Sequence, residues 1–485
     1  MQTPLEGLSL QLPQPFQKSP DTTLPLTLDV DVGSGAGEMR AGDLVRARWR
    51  HNSHQGQVWL EEMPPEDIAW PEQEHWQVNW QADRLDLVAW QLAISQLSDT
   101  ADDNSRRRRP DAPSQKISPI ERISVDTDCV LFGVTCLGSA SGLGEVRGND
   151  WHASVDSSFL SGTVDWRDNP ALPVILHIDW LDLTPLMTES KRSSEAAGPG
   201  AVADRTLTAY PEGLASLGDG EFDIDQVRLD GRTLGSLSGR WHSDDQRIDI
   251  SPLQVRMDGL DANGKLVWEG AGSLPSLSRL RLEADAGDLG KTMASLGADN
   301  VLQTDSGKIN TQLAWPGAPW QFDVERVNGS INAELGSGRL TFVQSRWANL
   351  VSLLNLDNLV RRLQLNFSDV TRSGIAFKSI NARTTLHDGV VRTVEPVLFD
   401  GSATHFSVAG QVDIPARTLD AHLGVTVPVT QNLPLAAVLV GAPQIGGVLY
   451  LLHKLFEPWF DRVSQVHYHV AGPWETPQVK LEHTR

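Results

Sequence analysis

Hydrophobic residues in this chain recur at every second position. In HFSVAGQVDIPARTLDAHLGVTVPV, Phe406, Val408, Gly410, Val412 and Ile414 share one parity, and His405, Ser407, Gln411 and Asp413 share the other. Side chains alternate across a β-strand, so this stretch writes one apolar face and one polar face. A turn around Pro415 and Arg417 separates it from Leu419, Ala421, Leu423, Val425 and Val427, which predicts a hairpin. The same alternation runs through RLRLEADAG, RIDISPLQVRMDG and RRLQLNFSDV. Gly, Asn and Asp punctuate these runs at hairpin spacing in LHDGVV, LDGRTL and DANGKL. Helical periodicity is confined to 83–97, 289–297, 343–363 and the segment 433–463. A strand ending in Trp, then a Pro or Gly turn and a second strand, recurs loosely at Trp166, Trp268 and Trp315.

Each strand must bury its apolar side, and so few helices do not cover a sheet of some two dozen strands. Either sheets pack face to face, or one long sheet curls until its apolar face lines a groove. An open groove exposes far more than the few hundred Å² of contiguous apolar surface usual for a monomer, and acyl chain is the natural filler. The expected fold is therefore mostly β: an elongated, curled antiparallel sheet forming a hydrophobic groove built from repeats, with a few amphipathic helices near the C-terminus. Phe406, Val408, Val412, Ile414, Leu423 and Val425 are the expected groove-lining, lipid-binding positions.

One segment departs from the β pattern. Leu433 to Leu452, LPLAAVLVGAPQIGGVLYLL, has no charged residue and as a helix would span about 30 Å, enough to cross a bilayer. Pro434 and Pro443 interrupt it, and strand-like sequence resumes at SQVHYHVAGPW. Beyond it, LLHKLFEPWFDRV sets Leu452, Leu455, Phe456, Trp459 and Val463 opposite Lys454, Glu457 and Asp461, the pattern of an interfacial helix. Leu439, Leu449, Leu455, Phe456 and Trp459 are the expected membrane or lid residues. A lid on the groove, a helix dipping into a leaflet, a true span and a plain core pair all fit the sequence.

Composition narrows the function. Hydrophobic residues make up 40% and charged residues 21%, as in folded proteins. A formal net charge of −21 argues against a nucleic-acid partner, which needs clustered Lys and Arg to displace counterions. SDTADDNSRRRRPDAPSQK (98–116) and TESKRSSEAAGPGAVADRT (188–206) read as flexible linkers. The two cysteines, Cys129 and Cys136, would sit roughly 23 Å apart in one continuous strand, whereas a hairpin at Gly133 would bring them together. Two cysteines fit either redox compartment.

No catalytic constellation is present: no nucleophile elbow, phosphate loop, H-E-x-x-H or paired C-x-x-C. His467 and His469 share a strand face, but no further ligand is placed by spacing, so no metal site and no cofactor is expected. The N-terminal MQTPLEGLSLQLPQPF lacks a basic n-region and an apolar h-region and reads as an entry into the middle of a β-structure. The chain is thus expected to be the C-terminal part of a longer protein.

ADAGDLGKTMASLGADNVLQTDSGKINTQLAWPGAP resembles the repeat of the AsmA-like envelope proteins, with its Asp-Leu-Gly helix start, Gly-led strand, Trp and Pro turn. The block from GSGRLTFVQSRWANL through GQVDIPARTLDAHLGVTVPV to HYHVAGPWETPQV is similar to the C-terminal region of the YhdP branch of that family. The resemblance implies a non-enzymatic groove in the periplasm, carrying phospholipid between inner and outer membranes, with an N-terminal inner-membrane anchor that this chain lacks. It also implies the organisation 1–97 (N-terminal β segment), 98–116 (linker), 117–338 (repetitive groove with the loop 188–206) and 339–485 (AsmA-like C-terminal region). The rival expectation is a scaffold or assembly factor for outer-membrane proteins with a closed β-core and envelope protein partners.

Overall fold

The computed structural model describes residues 1–64, 69–72, 74–90, 93, 120–132, 135–148, 150–167, 174–187, 207, 209–210, 217–270, 275–341, 370–371, 374–401, 405–427, 464–473 and 476–482. Most of them are in strands. The chain divides into two compact units, residues 1–251 with 269–275, and residues 252–268 with 276–485.

The hairpin expectations are met where the turn needs a left-handed backbone. Asp230 (φ 49°) and Gly231 (φ 74°) reverse the chain between Leu229 and Arg232, which are register partners. Asp388 and Gly389 do the same between His387 and Val390. Two-residue Asp-Gly loops with both φ positive match the twist of the flanking strands. The 413–418 turn also forms, with the Ala416 amide donating to Asp413 Oδ1 and the Arg417 amide to the Ile414 carbonyl.

DANGKL is different. It lies inside the strand Leu260–Glu269, and the turn falls one step earlier at Gly259 (φ 85°). Gly264 is needed there for contact, because a Cβ would stand 1.9 Å from the Arg281 carbonyl oxygen of the strand Leu277–Ala286. Glycine marks both turns and close backbone approaches, and only the fold separates the two.

The expected antiparallel sheet is mixed in the first unit. Trp76–Ala82 runs parallel to both Gln55–Leu60 and Ile120–Phe132, and Val174–Asp182 runs parallel to Asp219–Leu229. Parallel neighbours need a long return connection, and the expected linkers 98–116 and 188–206 fall within two such connections, outside the described residues. Alternation looks the same in parallel and antiparallel strands, so pattern alone does not reveal direction. The second unit pairs its strands antiparallel from Leu277–Ala286 through Gly307–Pro316, Asn328–Leu335 and Gly374–His387 to Gln478–Glu482.

Ile120–Phe132 and Thr135–Arg147 close a hairpin at the Phe132–Thr135 pair, and Cys129 and Cys136 form a disulfide with Cα atoms 5.6 Å apart. The helix expected over 289–297 is Leu289–Ser295, capped by Asp288, whose side chain accepts from the Gly290 amide. The stretch 83–97 instead opens with the strand Leu85–Asp86 before turning helical at 87–90. The expected helices 343–363 and 433–463 lie outside the described residues. Among the described residues no helix is long and apolar enough to cross a membrane.

Candidate functional site

Register partners in a sheet point to the same face, so the pairings trace each face from strand to strand. In the second unit one line of partners runs Leu280, Leu313, Gly329, Leu386, Val391, Val412 and Leu419. A parallel line ends in Phe399, Phe406 and Val425. The residues one step over on the same strands form the other face: Arg281, Gln312, Ser330, Thr385, Arg392 and Gln411. The first unit is built alike. Its pairings carry one apolar face from Leu28 through Val58, Val78 and Ile123 to Leu176 and Phe222. Each unit therefore has one continuous apolar face and one continuous polar face.

Exposure differs along the apolar face of the second unit. Leu280, Leu282, Ile309, Ile331 and Leu386 are half-buried, flanked by exposed Arg281, Glu283, Asn310 and Asn332. Farther along, Leu419 (6% exposed), Leu423 (3%), Val425 (2%), Tyr468 (7%) and Val470 (5%) form a closed cluster with Phe406, Val408, Val412 and Ala421 packed on it. At the edge strand Gln478–Glu482 the same face opens again, with Val479 43% and Leu481 37% exposed.

Five of the groove-lining expectations, Phe406, Val408, Val412, Leu423 and Val425, land on one face. Phe406 pairs with Val425 and Val408 with Leu423. Ile414 lies just past its strand, its amide donating to the Gly389 carbonyl. Leu423 and Val425 sit inside the closed cluster, whereas Phe406, Val408 and Val412 border it. Phe377, Phe399 and Phe406 form an aromatic row, with ring centroids 5.3 and 5.6 Å apart. Leu439, Leu449, Leu455, Phe456 and Trp459 lie outside the described residues.

Burial pushes the Tyr468 phenol above its ordinary value. A raised phenol stabilises the fold fully below the unfolded value near 10 and loses that contribution as pH rises through the folded value. Alkaline unfolding of the wild type should therefore begin at lower pH than that of Tyr468→Phe, read by far-UV circular dichroism.

The polar face carries pairs of imidazole and carboxylate. His469 Nε2 lies 2.6 Å from Asp420, His422 Nδ1 lies 3.0 Å from Glu482, and the two rings stack at 5.0 Å. His405 bonds Asp400, and this hydrogen bond holds the Asp400 carboxyl below its usual range. In the first unit, His177, Asp179 and Asp225 bring donor atoms within 4.8 Å of one another, all exposed. These groups offer solvated ion pairs rather than an enclosed reaction centre.

The pairing of glycine with tryptophan was not read from the sequence. The Trp49 ring lies over Gly37, Trp76 over Gly56 and Trp241 over Gly220, each pair in direct register. For Gly37–Trp49 and Gly220–Trp241 the signal is a Gly and a Trp at equal distances from a turn, whereas the parallel pair Gly56–Trp76 emerges only once the partner strand is known.

The family model described as YhdP protein matches residues 1–479. The chain belongs to the YhdP family. Over 369 residues it is 24% identical to the intermembrane phospholipid transporter YhdP of Escherichia coli (strain K12), covering 74% of this chain. It spans 28% of that relative's length. No solved structure matches this YhdP-family chain.

Proposed function

We propose that this chain is part of a non-enzymatic phospholipid conduit whose cargo lies with its acyl chains on the apolar sheet faces. The half-exposed apolar face carries the reading. Aliphatic side chains stand at alternate positions across successive strands, and the residues beside them are charged or amide-bearing. A lipid tail on such a surface gains about 0.8 kcal/mol per methylene buried. The contacts are non-directional, so the tail slides without breaking hydrogen bonds. The phospholipid transporter named among its relatives supplies the cargo class.

The Cys129–Cys136 disulfide fits an oxidising compartment, in keeping with a periplasmic chain working between inner and outer membranes. The closed cluster around Leu423 and Val425 interrupts the conducting face, and in this reading the apolar segment 433–463 acts on the groove or on a membrane.

The test is site-specific photo-crosslinking, with a photoreactive amino acid placed singly at Leu282, Ile309 and Ile331, and at Glu283, Asn310 and Asn332. Phospholipid adducts on the first set alone are expected by mass spectrometry. Protein adducts on the first set, or no lipid on either, would replace the conduit with a closed scaffold.

A further inference from the structure

One rim of the apolar face in the first unit is lined with tryptophan. Register partners run Gly37, Trp49, Gly56 and Trp76, the last paired with Ile120. On the following strands Val146 pairs with Trp151, and Trp151 with Trp166. Val174 then pairs with Gly220, and Gly220 with Trp241. Because Arg122 pairs with Glu145 and Asp165 with Ile175, these segments are successive parts of one line across the strands. Five indoles thus stand on the same face and at the same end of their strands.

The Trp49, Trp76 and Trp241 rings lie down on the sheet rather than rising from it. A Cβ on Gly37, Gly56 or Gly220 would fall 2.0 to 2.3 Å from an indole carbon, so glycine is what lets each ring lie flat. The face inside the row is open at Gly142, where a Cβ would meet nothing closer than the Ser154 carbonyl oxygen at 3.8 Å, and is covered at Trp80, whose ring packs against Phe16 and Trp90 at 5.9 and 4.9 Å. Arg50 and Arg147 follow Trp49 and Val146 and alternate to the other face, Arg50 over the Trp70 ring and Arg147 beside Glu145. Asp150 and Asp219 stand on the same rim, Asp219 paired with His242. The Trp241 indole N–H is buried without an acceptor.

The opposite ends of these strands have another chemistry. Ala82, Thr127, Ala140 and Ser157 are the register partners there. These are small side chains with no indole among them, and the Asp126–Ser141–Asp156 line beside them stands on the polar face. Indoles favour the boundary between apolar tail and polar headgroup, so the tryptophan end is the one that suits a glycerol-phosphate.

From Val146 to Ala140 the face is six residues deep, about 20 Å. One leaflet of hydrocarbon is about 15 Å, half of the roughly 30 Å bilayer core. A phospholipid with its glycerol at the tryptophan row therefore keeps its tails on the apolar face and within the length of the strands.

We infer that phospholipid lies along the strands of the first unit with its glycerol-phosphate at the Trp151, Trp166 and Trp241 part of the row, and advances from strand to strand with that orientation kept. This rests on the conduit reading and adds which way the cargo faces.

The test loads the full chain from phosphatidylethanolamine–phosphatidylglycerol vesicles. p-Benzoylphenylalanine replaces one residue at a time: Trp166 on the row (54% exposed, so the change is tolerated), Val155 in mid-face, and the exposed Ser158 on the far rim. Adducts are fragmented to locate the cross-link. The expected result is acyl cross-links at Val155 and glycerol or headgroup cross-links at Trp166, several-fold above those at Ser158. Headgroup cross-links at Ser158 equal to or above those at Trp166, with Val155 still on acyl chain, would overturn the orientation and leave the conduit standing. No lipid at Val155 would overturn both.

Discussion

Gly142→Trp should leave the first unit folded and abolish lipid passage across it. Gly142 lies in mid-face on the strand Thr135–Arg147, between Val125 and Val155. An added Cβ meets only backbone oxygens at ordinary contact, Ser154 at 3.8 Å and Val125 at 4.0 Å. Glycine is a poor strand residue and tryptophan a good one, so the backbone gains from the change. The indole must then lie on the apolar face itself. If it displaces about three methylenes of a tail, the loss is about 2.4 kcal/mol, roughly 50-fold in occupancy. Melting temperature and co-purified phospholipid, measured together, check this. An unchanged melting temperature with lipid lost is the expected pair, while Ser141→Trp, on the exposed polar face, should keep both. A variant that melts far below wild type would mean that protein already fills the space above Gly142. One that keeps its lipid would mean the cargo does not cross this strand.

The second large effect belongs to the closed cluster. Leu423→Ala removes a side chain 3% exposed, packed among Leu419, Val425, Tyr468 and Val470 on strands Thr418–Val427 and Ser464–Pro473. Truncating a fully buried leucine costs about 2–5 kcal/mol, the transfer of its methyls plus the cavity left behind. Ile331→Ala, on the half-buried stretch of the same apolar face, should cost about half as much, because less area leaves water in the first place. Denaturant unfolding of the two variants checks the contrast. Equal losses would mean that the apolar face is covered alike at both places, and the distinction between an open stretch and a closed cluster would fall. The contrast also divides the expected groove positions. Leu423 and Val425 would then act through stability, and the lipid-facing role would pass to Leu282, Ile309 and Ile331.

Alternation, turn residues and the helix over 289–297 were legible in the residues themselves, because each depends on chain within a few positions. Period two at Phe406, Val408 and Val412 determined a strand with one apolar side, whichever neighbour it later acquired. Asp-Gly at 230–231 and 388–389 determined reversals, since a left-handed backbone is cheap there. The family, too, was written in local motifs, and the match over residues 1–479 agrees with them.

Strand partners were not legible. Whether Trp76–Ala82 runs parallel or antiparallel to its neighbours depends on which long connections return the chain, and alternation is blind to that. The role of Gly264 as a contact rather than a turn came from a strand some fifteen residues away. The tryptophan row is the largest case: Trp49, Trp76, Trp151, Trp166 and Trp241 have irregular spacing in the chain and acquire a common line only through register. Sequence by itself therefore determined that each strand has an apolar side. Only the tertiary structure decided that those sides join into one face per unit, where that face is open and where it is closed, because register and burial are set by partners distant in the chain.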